Sequence, residues 1–195
     1  MTQRRPAGRP RDPAADEAIL RAAFELFVER GVDGTSIEQV AKRAGVARLT
    51  VYRRFSSKTE ILVEVVEWAR LVAAPDLAAI GELTPGQLVQ HWETALGDRR
   101  ARQLLIRLVG AIPDHPELAR AYWEGIVAPR RALFTAMLEA ERDAGNLPPD
   151  ADPELIQDMV AGALLYRLLV NPHEVGPAEF GDYLRAALRQ VGYRG

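Results

Sequence analysis

A short segment in the N-terminal third of the chain combines side chains that are suited to contact another molecule. Within it, the apolar Val51 and Phe55 fall one helical turn apart and predict a buried side. The other side is left for solvent or a partner, and it holds Arg48, Thr50, Arg53 and Arg54. Arginines beside a hydroxyl and an aromatic ring suit a helix that contacts base edges in a DNA major groove, which is about 12 Å wide and admits one helix.

Two predicted helices position this segment. The first spans about residues 14–30 and is ended by Gly31. The second begins at Thr35, whose hydroxyl is predicted to accept a hydrogen bond from a free amide, and Glu38 completes a capping-box pattern. Gly45 ends this second helix, and a short turn leads from it into the segment described above. The arrangement predicts a helix-turn-helix.

The rest of the sequence predicts further helices. Apolar residues recur at helical spacing along almost the whole chain, and no run alternates in the manner of a strand, so the predicted class is all-α. A fourth helix is expected over about residues 58–74, and prolines and glycines divide the remainder into about five more. We therefore expect about nine helices, with a basic arm over 1–12, a helix-turn-helix domain over 13–58 and a larger helical domain over 59–195.

The charges of the chain are unevenly distributed. The 195 residues have a formal net charge of −2. Residues 1–58 contain 12 Lys or Arg against 7 Asp or Glu, whereas the remaining residues contain 13 against 20. A basic N-terminal region in front of an acidic body is expected when only one of the two regions meets phosphates.

The composition argues against several other classes. There is no cysteine, which excludes disulfides, thiol catalysis and cysteine-ligated metals. No apolar stretch approaches the roughly 20 residues of a membrane-spanning helix, and the N-terminus lacks the apolar region of a secretory signal, so we expect a cytoplasmic location. His91, His115 and His173 are too scattered for a metal motif, and no nucleophile–base pair or Gly-rich phosphate loop is present. We predict no metal, no cofactor and no catalysis, and an all-α enzyme is the competing class.

The segment from Thr35 to Leu62 resembles the DNA-binding region of the tetracycline-repressor (TetR) family. Its sequence is TSIEQVAKRAGVARLTVYRRFSSKTEIL, and it follows the helix AILRAAFELFVERGVDG. The spacing from Gly45 through Tyr52 to Lys58 fits that family, and the resemblance covers about the first 65 residues well. It implies an N-terminal three-helix DNA-binding domain, followed by a helical domain that binds an effector and forms a dimer.

The same resemblance implies a set of DNA contacts. Those on the recognition helix are Arg48, Leu49, Thr50, Tyr52 and Arg53. Thr35 and Ser36 are expected to cap the second helix near a phosphate. Lys58 is expected to begin the fourth helix at a phosphate, and Arg43 is a further candidate for the DNA backbone.

Two positions depart from the family pattern. Ala47 stands where a helix-capping serine is usual, and Leu49 stands where glycine is frequent. Leu49 brings an apolar group that suits a thymine methyl, so base preference cannot be copied from a relative. In the arm, the Gly-Arg-Pro-Arg run with Arg9 and Arg11 resembles an AT-hook, whose arginines enter a minor groove, and a solvated tail is the equal alternative.

We expect a homodimer on a palindromic site in double-stranded DNA. One recognition helix contacts too few base pairs to single out an operator in a genome. The resemblance places the interface on the last two long helices, which begin at Pro153 and Pro177. The predicted contacts are Leu155, Met159, Ala163, Tyr166, Leu184 and Leu188. The alternative is that this stripe packs only within its own subunit.

A small-molecule effector is expected among the helices between about residues 86 and 166. An apolar stripe with few polar groups suits a mostly hydrophobic pocket, and it suits a filled core equally well. The predicted lining is His91, Trp92, Leu105, Val109, Phe134, Met137 and Tyr166. Leu104 and Leu108 belong to the same stripe, and Arg107 is one of the few polar groups among it. Pro129 is predicted to kink a helix over 117–144. The leading hypothesis is a repressor released by an apolar ligand, and the alternative is a DNA-binding dimer without an effector.

Overall fold

Within the residues that the computed structural model describes, which are 13–73, 83–171 and 176–195, every regular element is helical, as predicted. The nine helices of these ranges are α1 (Pro13–Arg30), α2 (Ile37–Ala44), α3 (Arg48–Tyr52), α4 (Lys58–Ala73), α5 (Pro85–Gly97), α6 (Arg99–Ala111), α7 (116–143), α8 (Pro153–Leu165) and α9 (Pro177–Gln190). Helix α8 continues as a π-helical turn over Tyr166–Val170. None of these helices is long and apolar enough to cross a membrane. The predictions for Arg9, Arg11 and His173 lie outside the described residues.

Helices α1 to α4 enclose the first of three hydrophobic clusters. Apolar residues recur every three or four positions in α1, so Ile19, Ala23 and Leu26 lie on one side and are buried. They pack with Val40 of α2 and Val51 of α3. Because α3 has only five residues, it is too short to be stable in isolation. Its position therefore depends on this cluster.

Two glycines provide the turns between these helices. Gly31 (φ +72°) ends α1 and Gly45 (φ +68°) ends α2, both in the left-handed region that favours glycine, as the sequence predicted. After Gly45, the Val46 N–H donates to the Ala41 carbonyl oxygen at 3.0 Å. This bond closes α2 and directs the chain into α3.

A second cluster joins α1 and α4 to α6 and α7. Its buried residues are Phe27, Val32, Leu62, Val66, Leu108, Ala111 and Leu118. On α6, Arg107 donates to the Glu29 carbonyl oxygen at 3.2 Å and passes 3.5 Å from where a Cβ on Gly31 would lie. Leu104, Arg107 and Leu108 thus face the helix-turn-helix half and belong to a different cluster from Phe134 and Met137, and their grouping with a ligand pocket stays a prediction.

Helix α7 contains the irregularity that Pro129 predicts. Its α-helical parts, Pro116–Tyr122 and Ala128–Asp143, are joined by a π-helical turn over Trp123–Val127. Proline lacks an N–H, and its ring clashes with the carbonyl group four residues earlier. The backbone hydrogen bonds of the helix therefore change from the α-helical to the wider π-helical spacing just before Pro129. In this turn Gly125 is contacted by Glu67 of α4, whose Oε1 lies 2.4 Å from where a Cβ would be.

The third cluster is the core of the C-terminal helices α5, α7, α8 and α9. Its buried residues are Leu88, Val89, Phe134, Met137, Leu138, Leu147, Ile156, Val160, Phe180, Leu184, Leu188 and Tyr193. Leu184 and Leu188 are fully buried in it. Their prediction as dimer contacts is wrong, because they fill the core of their own subunit.

Candidate nucleic-acid interface

Helix α3 has one buried and one exposed side. Val51 and Phe55 are buried and fix it on the first cluster. The opposite side holds Arg48, Leu49, Tyr52 and Arg53, which are exposed, and Thr50, which is half-buried. Leu49 is 60% exposed, an unusual position for a leucine in a folded domain. The surface of α3 thus offers two guanidinium groups, a phenol and an aliphatic side chain.

Arg48 is held by neighbours on both sides. Its Nη2 lies 2.5 Å from Oε1 of Glu38 on α2, and its guanidinium lies 5.9 Å from the centre of the Tyr52 ring. The contact with Tyr52, followed by the charge of Glu38, raises the pKa of Arg48. The Glu38 backbone amide, with a further contribution from Arg48, lowers the pKa of the Glu38 carboxyl. Arg48 therefore stays charged and points along the exposed surface between α2 and α3.

The start of α2 differs from the prediction. Ser36, and not Thr35, is the N-cap: its hydroxyl oxygen accepts a hydrogen bond from the Gln39 N–H at 3.2 Å. Thr35 is buried, and its hydroxyl donates to the Gly31 carbonyl oxygen at 2.8 Å. The capping role of Thr35 is therefore wrong. Ser36 alone of the two remains near the surface where a phosphate would lie.

Arg54 was predicted to face solvent or a partner molecule, but it is bonded within the fold. Its Nε pairs with the Asp16 carboxylate of α1, and its Nη1 donates to the Thr50 carbonyl oxygen at 3.2 Å. These contacts tie the end of α3 to α1. Arg53, the neighbouring residue, is exposed.

The two predicted backbone contacts have partners within the chain. Both Nη atoms of Arg43 donate to the Glu29 carboxylate at 2.8 Å, which raises the pKa of Arg43 and lowers that of Glu29. The ammonium of Lys58 donates to the Val32 carbonyl oxygen at 2.9 Å. Both cations therefore hold the turn between α1 and α2, and each keeps further N–H donors that these bonds do not use.

Sequence reasoning missed the cap of α4. The Ser57 hydroxyl oxygen accepts from the Glu60 N–H at 3.1 Å, and the Glu60 carboxylate accepts from the Ser56 N–H at 2.5 Å. The hydrogen bonds from Ser56 lower the pKa of Glu60. The Ser-x-x-Glu spacing from Ser57 to Glu60 is the signal that predicts such a cap.

Comparisons with known proteins agree with this geometry. Residues 19–65 match the family model of bacterial regulatory proteins of the tetR family, and residues 86–187, more than half of the chain, match the tetracyclin repressor-like C-terminal domain. The chain belongs to the TetR family. It is a DNA-binding transcriptional regulator of the helix-turn-helix type, as the sequence predicted.

Three individual proteins illustrate the similarity of this TetR-family chain to others. The regulator YdeS of Bacillus subtilis is 29% identical over 188 residues, covering 94% of this chain and 93% of YdeS. The repressor SCO4008 of Streptomyces coelicolor is 27% identical over 203 residues, covering 93% of this chain and 97% of SCO4008. A Saccharomonospora viridis regulator solved with choline shares the fold, with a TM-score of 0.78 and 16% identity over 94% of this chain and 100% of that one.

In the C-terminal domain of this TetR-family protein, the predicted pocket residues separate into two groups. His91, Trp92, Leu105 and Val109 are half-buried, and Phe134 and Met137 are buried in the core. The rings of Trp92 and Phe134 are 5.9 Å apart. Tyr166 is 57% exposed and belongs with the surface of α8, not with this interior.

Helix α8 and its π-helical continuation expose a row of apolar residues. Leu155 is 56% and Met159 51% exposed, and Tyr166 continues the row one to two turns later. Ala163 is half-buried. Leu169 and Val170 are also exposed and were missed, although their spacing from Tyr166 continues the helical pattern.

Proposed function

We propose that this TetR-family regulator is a homodimeric repressor that binds a palindromic operator through two copies of α3 and dissociates when a small organic ligand binds behind α4. The observation on which the proposal rests is the two-sided α3. Buried Val51 and Phe55 fix it, while Arg48, Leu49 and Arg53 face outward. A helix presented in this way fits one major groove.

Each exposed side chain of this surface has a proposed role. Arg48 and Arg53 donate to guanine edges, Leu49 contacts a thymine methyl, and the hydroxyls of Thr50 and Tyr52 reach a base or a phosphate. Ser36, Arg43 and Lys58 contact the DNA backbone. Arg9 and Arg11 of the basic arm enter the adjacent minor groove. In this proposal, the base contacts discriminate between DNA sequences, and the phosphate contacts position the protein on the duplex.

The proposed dimer forms through α8. A contiguous apolar row on a soluble helix marks an interaction site, and α8 exposes Leu155, Met159 and Tyr166 along one side. Ala161 and Gly162 are exposed beside them and allow close approach of two backbones. We expect this face to pack against the same face of a second copy, because a two-fold dimer brings identical surfaces of its two subunits together.

The proposed ligand acts through the second cluster. The helix-turn-helix domain is taken as 13–58 and the effector and dimerisation domain as 59–195. Leu62 and Val66 of α4 pack in that cluster with Leu108 of α6 and Leu118 of α7. A ligand that shifts α6 or α7 by preferring one packing over another shifts α4 with it, and a preference of about 1–3 kcal/mol changes DNA affinity roughly 5- to 150-fold. We assign the protein no catalytic role, and we place it in the cytoplasm with the chromosome.

A second candidate is a DNA-binding dimer without an effector. The burial of Phe134, Met137 and Leu138 in one core favours it, because side chains predicted to line a pocket instead fill the interior. The two candidates share the DNA-binding surface and differ only in ligand response.

In vitro selection from randomised duplexes tests the proposal. The full chain is expected to enrich a palindrome of two half-sites, and the double variant Arg48→Ala/Arg53→Ala is expected to enrich none. An enriched single half-site, or a double variant that selects the same palindrome, contradicts the proposed mode of recognition. A screen of small organic ligands for release of the selected duplex then separates the two candidates.

A further inference from the structure

Arg130 of α7 differs from the other half-buried arginines of the described ranges. Its side chain is half-buried, yet its guanidinium forms no hydrogen bond and no ion pair with any residue of the described ranges. Every other half-buried arginine there has a carboxylate, a carbonyl oxygen or an aromatic ring as its partner. Examples are Arg102 with Leu96, Arg131 with Asp158, Arg167 with Tyr183 and Arg185 with Glu93.

Among the described residues, the phenol of Tyr122, two turns earlier in α7, is the group whose charge bears on the pKa of Arg130. Burial lowers the pKa of Arg130, but a guanidinium remains charged at neutral pH. Burial also raises the pKa of Tyr122, so its hydroxyl keeps its proton and can donate it in a hydrogen bond. The pair therefore offers several donors and one positive charge, and no residue of the described ranges gives Arg130 an anionic acceptor.

The position of this pair is as informative as its chemistry. Tyr122 packs, with Ile126, on the cluster that contains Leu62 and Val66 of α4. The π-helical turn between Tyr122 and Arg130 is the turn in which Gly125 contacts Glu67 of α4. A molecule held by the two side chains therefore lies beside the helix that leads to the DNA-binding domain.

A guanidinium withdrawn from water without a counterion is unfavourable, and its planar fork matches a carboxylate through two parallel hydrogen bonds. We propose that Arg130, with Tyr122 beside it, binds the carboxylate of a small organic acid at the junction of α7 and α4. This inference rests on the proposed function in taking that acid to be the effector, and it gives the ligand a charged end to orient it.

Paired probes test the preference for a carboxylate. Benzoate and octanoate are compared with benzamide and octanamide, and choline serves as the cation, by calorimetry and thermal shift on the full chain. The wild type is expected to bind each carboxylate about 10- to 100-fold more tightly than its amide, as a charge-assisted pair provides. Arg130→Met is expected to lose this difference and Arg130→Lys to keep part of it. The matched control is Arg120→Met, which removes an exposed arginine of the same helix and should bind as the wild type does.

The ligand-free protein provides a second readout. Arg130→Met is expected to raise Tm, because it removes a partly desolvated charge that no residue of the described part of the chain compensates. A lower Tm than that of Arg120→Met means that Arg130 is paired within the fold, and this overturns the proposal. A wild type that prefers no carboxylate over its amide, or an Arg130→Met variant that keeps the preference, also overturns it.

The selected duplex separates this inference from the proposed function. Carboxylates that bind through Arg130 and release the duplex support both. Carboxylates that bind through Arg130 and leave the duplex bound establish the anion site and contradict its role as effector site. A neutral ligand that releases the duplex, with no carboxylate preference, overturns the anion site and leaves ligand-controlled repression intact.

Discussion

Arg48 lies between a carboxylate and an aromatic ring before DNA is present. This arrangement presents its guanidinium at the surface that we propose faces the major groove, so its removal should act on base recognition. We expect Arg48→Ala to weaken binding to the selected duplex by about 1–3 kcal/mol and to relax preference at one base pair. Fluorescence anisotropy on the duplex and its single-base variants measures both. Arg21→Ala, an exposed arginine of α1 paired with Glu17, is the control. An unchanged affinity would remove Arg48 from the interface.

Lys58 combines a proposed phosphate contact with an observed internal bond. We expect Lys58→Ala to weaken binding to every duplex alike and to reduce the slope of affinity against salt by about one phosphate contact. It should also lower the free energy of unfolding by about 1 kcal/mol, because the bond to the Val32 carbonyl oxygen is lost. Anisotropy over a salt series and urea denaturation measure these effects. A loss confined to one sequence would make Lys58 a base contact.

Ala47 begins α3 without a side-chain hydrogen bond. A serine there should accept a bond from a free amide of the first turn, so Ala47→Ser is expected to stabilise the protein by about 0.5–2 kcal/mol. Urea denaturation measures the change. The control is Ala140→Ser, at a solvent-exposed position within α7 and away from its N-terminus, and it should be slightly destabilising. Equal behaviour of the two variants would show that the cap of α3 does not limit stability.

Among whole elements, the contact between α5 and α9 is sensitive to side-chain size. Glu93 of α5 reaches over Gly181 of α9, with its Cγ 2.3 Å from the position of a Cβ, and pairs with Arg185 at 2.7 Å. Gly181→Ala should therefore lower the free energy of unfolding by about 1–3 kcal/mol. Gly110→Ala in α6, where no atom lies within 4 Å of the added Cβ, should raise it by about 0.5–1 kcal/mol. Chemical denaturation of both variants measures the difference, and the same sign for both would contradict this packing.

The helices themselves were largely predictable from sequence, because glycines and prolines mark their ends locally. Gly31 and Gly45 end α1 and α2 as expected, and Pro129 follows an irregular turn. Partners distant in sequence were not predictable. Arg54 pairs with a carboxylate 38 residues away, and its position on the helical repeat of α3 is equally consistent with exposure to solvent. The spacing of apolar residues shows which side of a helix is buried but not which neighbour covers it. Leu184 was therefore predicted to contact a partner subunit, although it lies in the core of its own subunit.

At the scale of the whole molecule, the proposed dimer depends on the exposed row of α8 to bring two recognition helices together. We expect the double variant Leu155→Asp/Met159→Asp to be monomeric at micromolar concentration and to lose binding to the palindrome, since charges cannot be buried in an apolar interface. Sedimentation velocity measures the mass. Ile112→Asp, at an exposed apolar position after α6, is the control and should remain dimeric. A double variant that stays dimeric would move the interface away from α8.

The internal partners of Arg43 and Lys58 also bear on how the protein searches a chromosome. In the proposed interface, the Glu29 carboxylate already offsets the charge of Arg43, and Lys58 already uses one donor on the Val32 carbonyl oxygen, so each cation gains less from an arbitrary phosphate than a free side chain would. Weak attachment to wrong sites shortens the time lost on each one. At a matching sequence, the contacts proposed for α3 add to this weak attachment. The internal partners of Arg43 and Lys58 are therefore expected to shorten the time that the regulator spends on the rest of the genome.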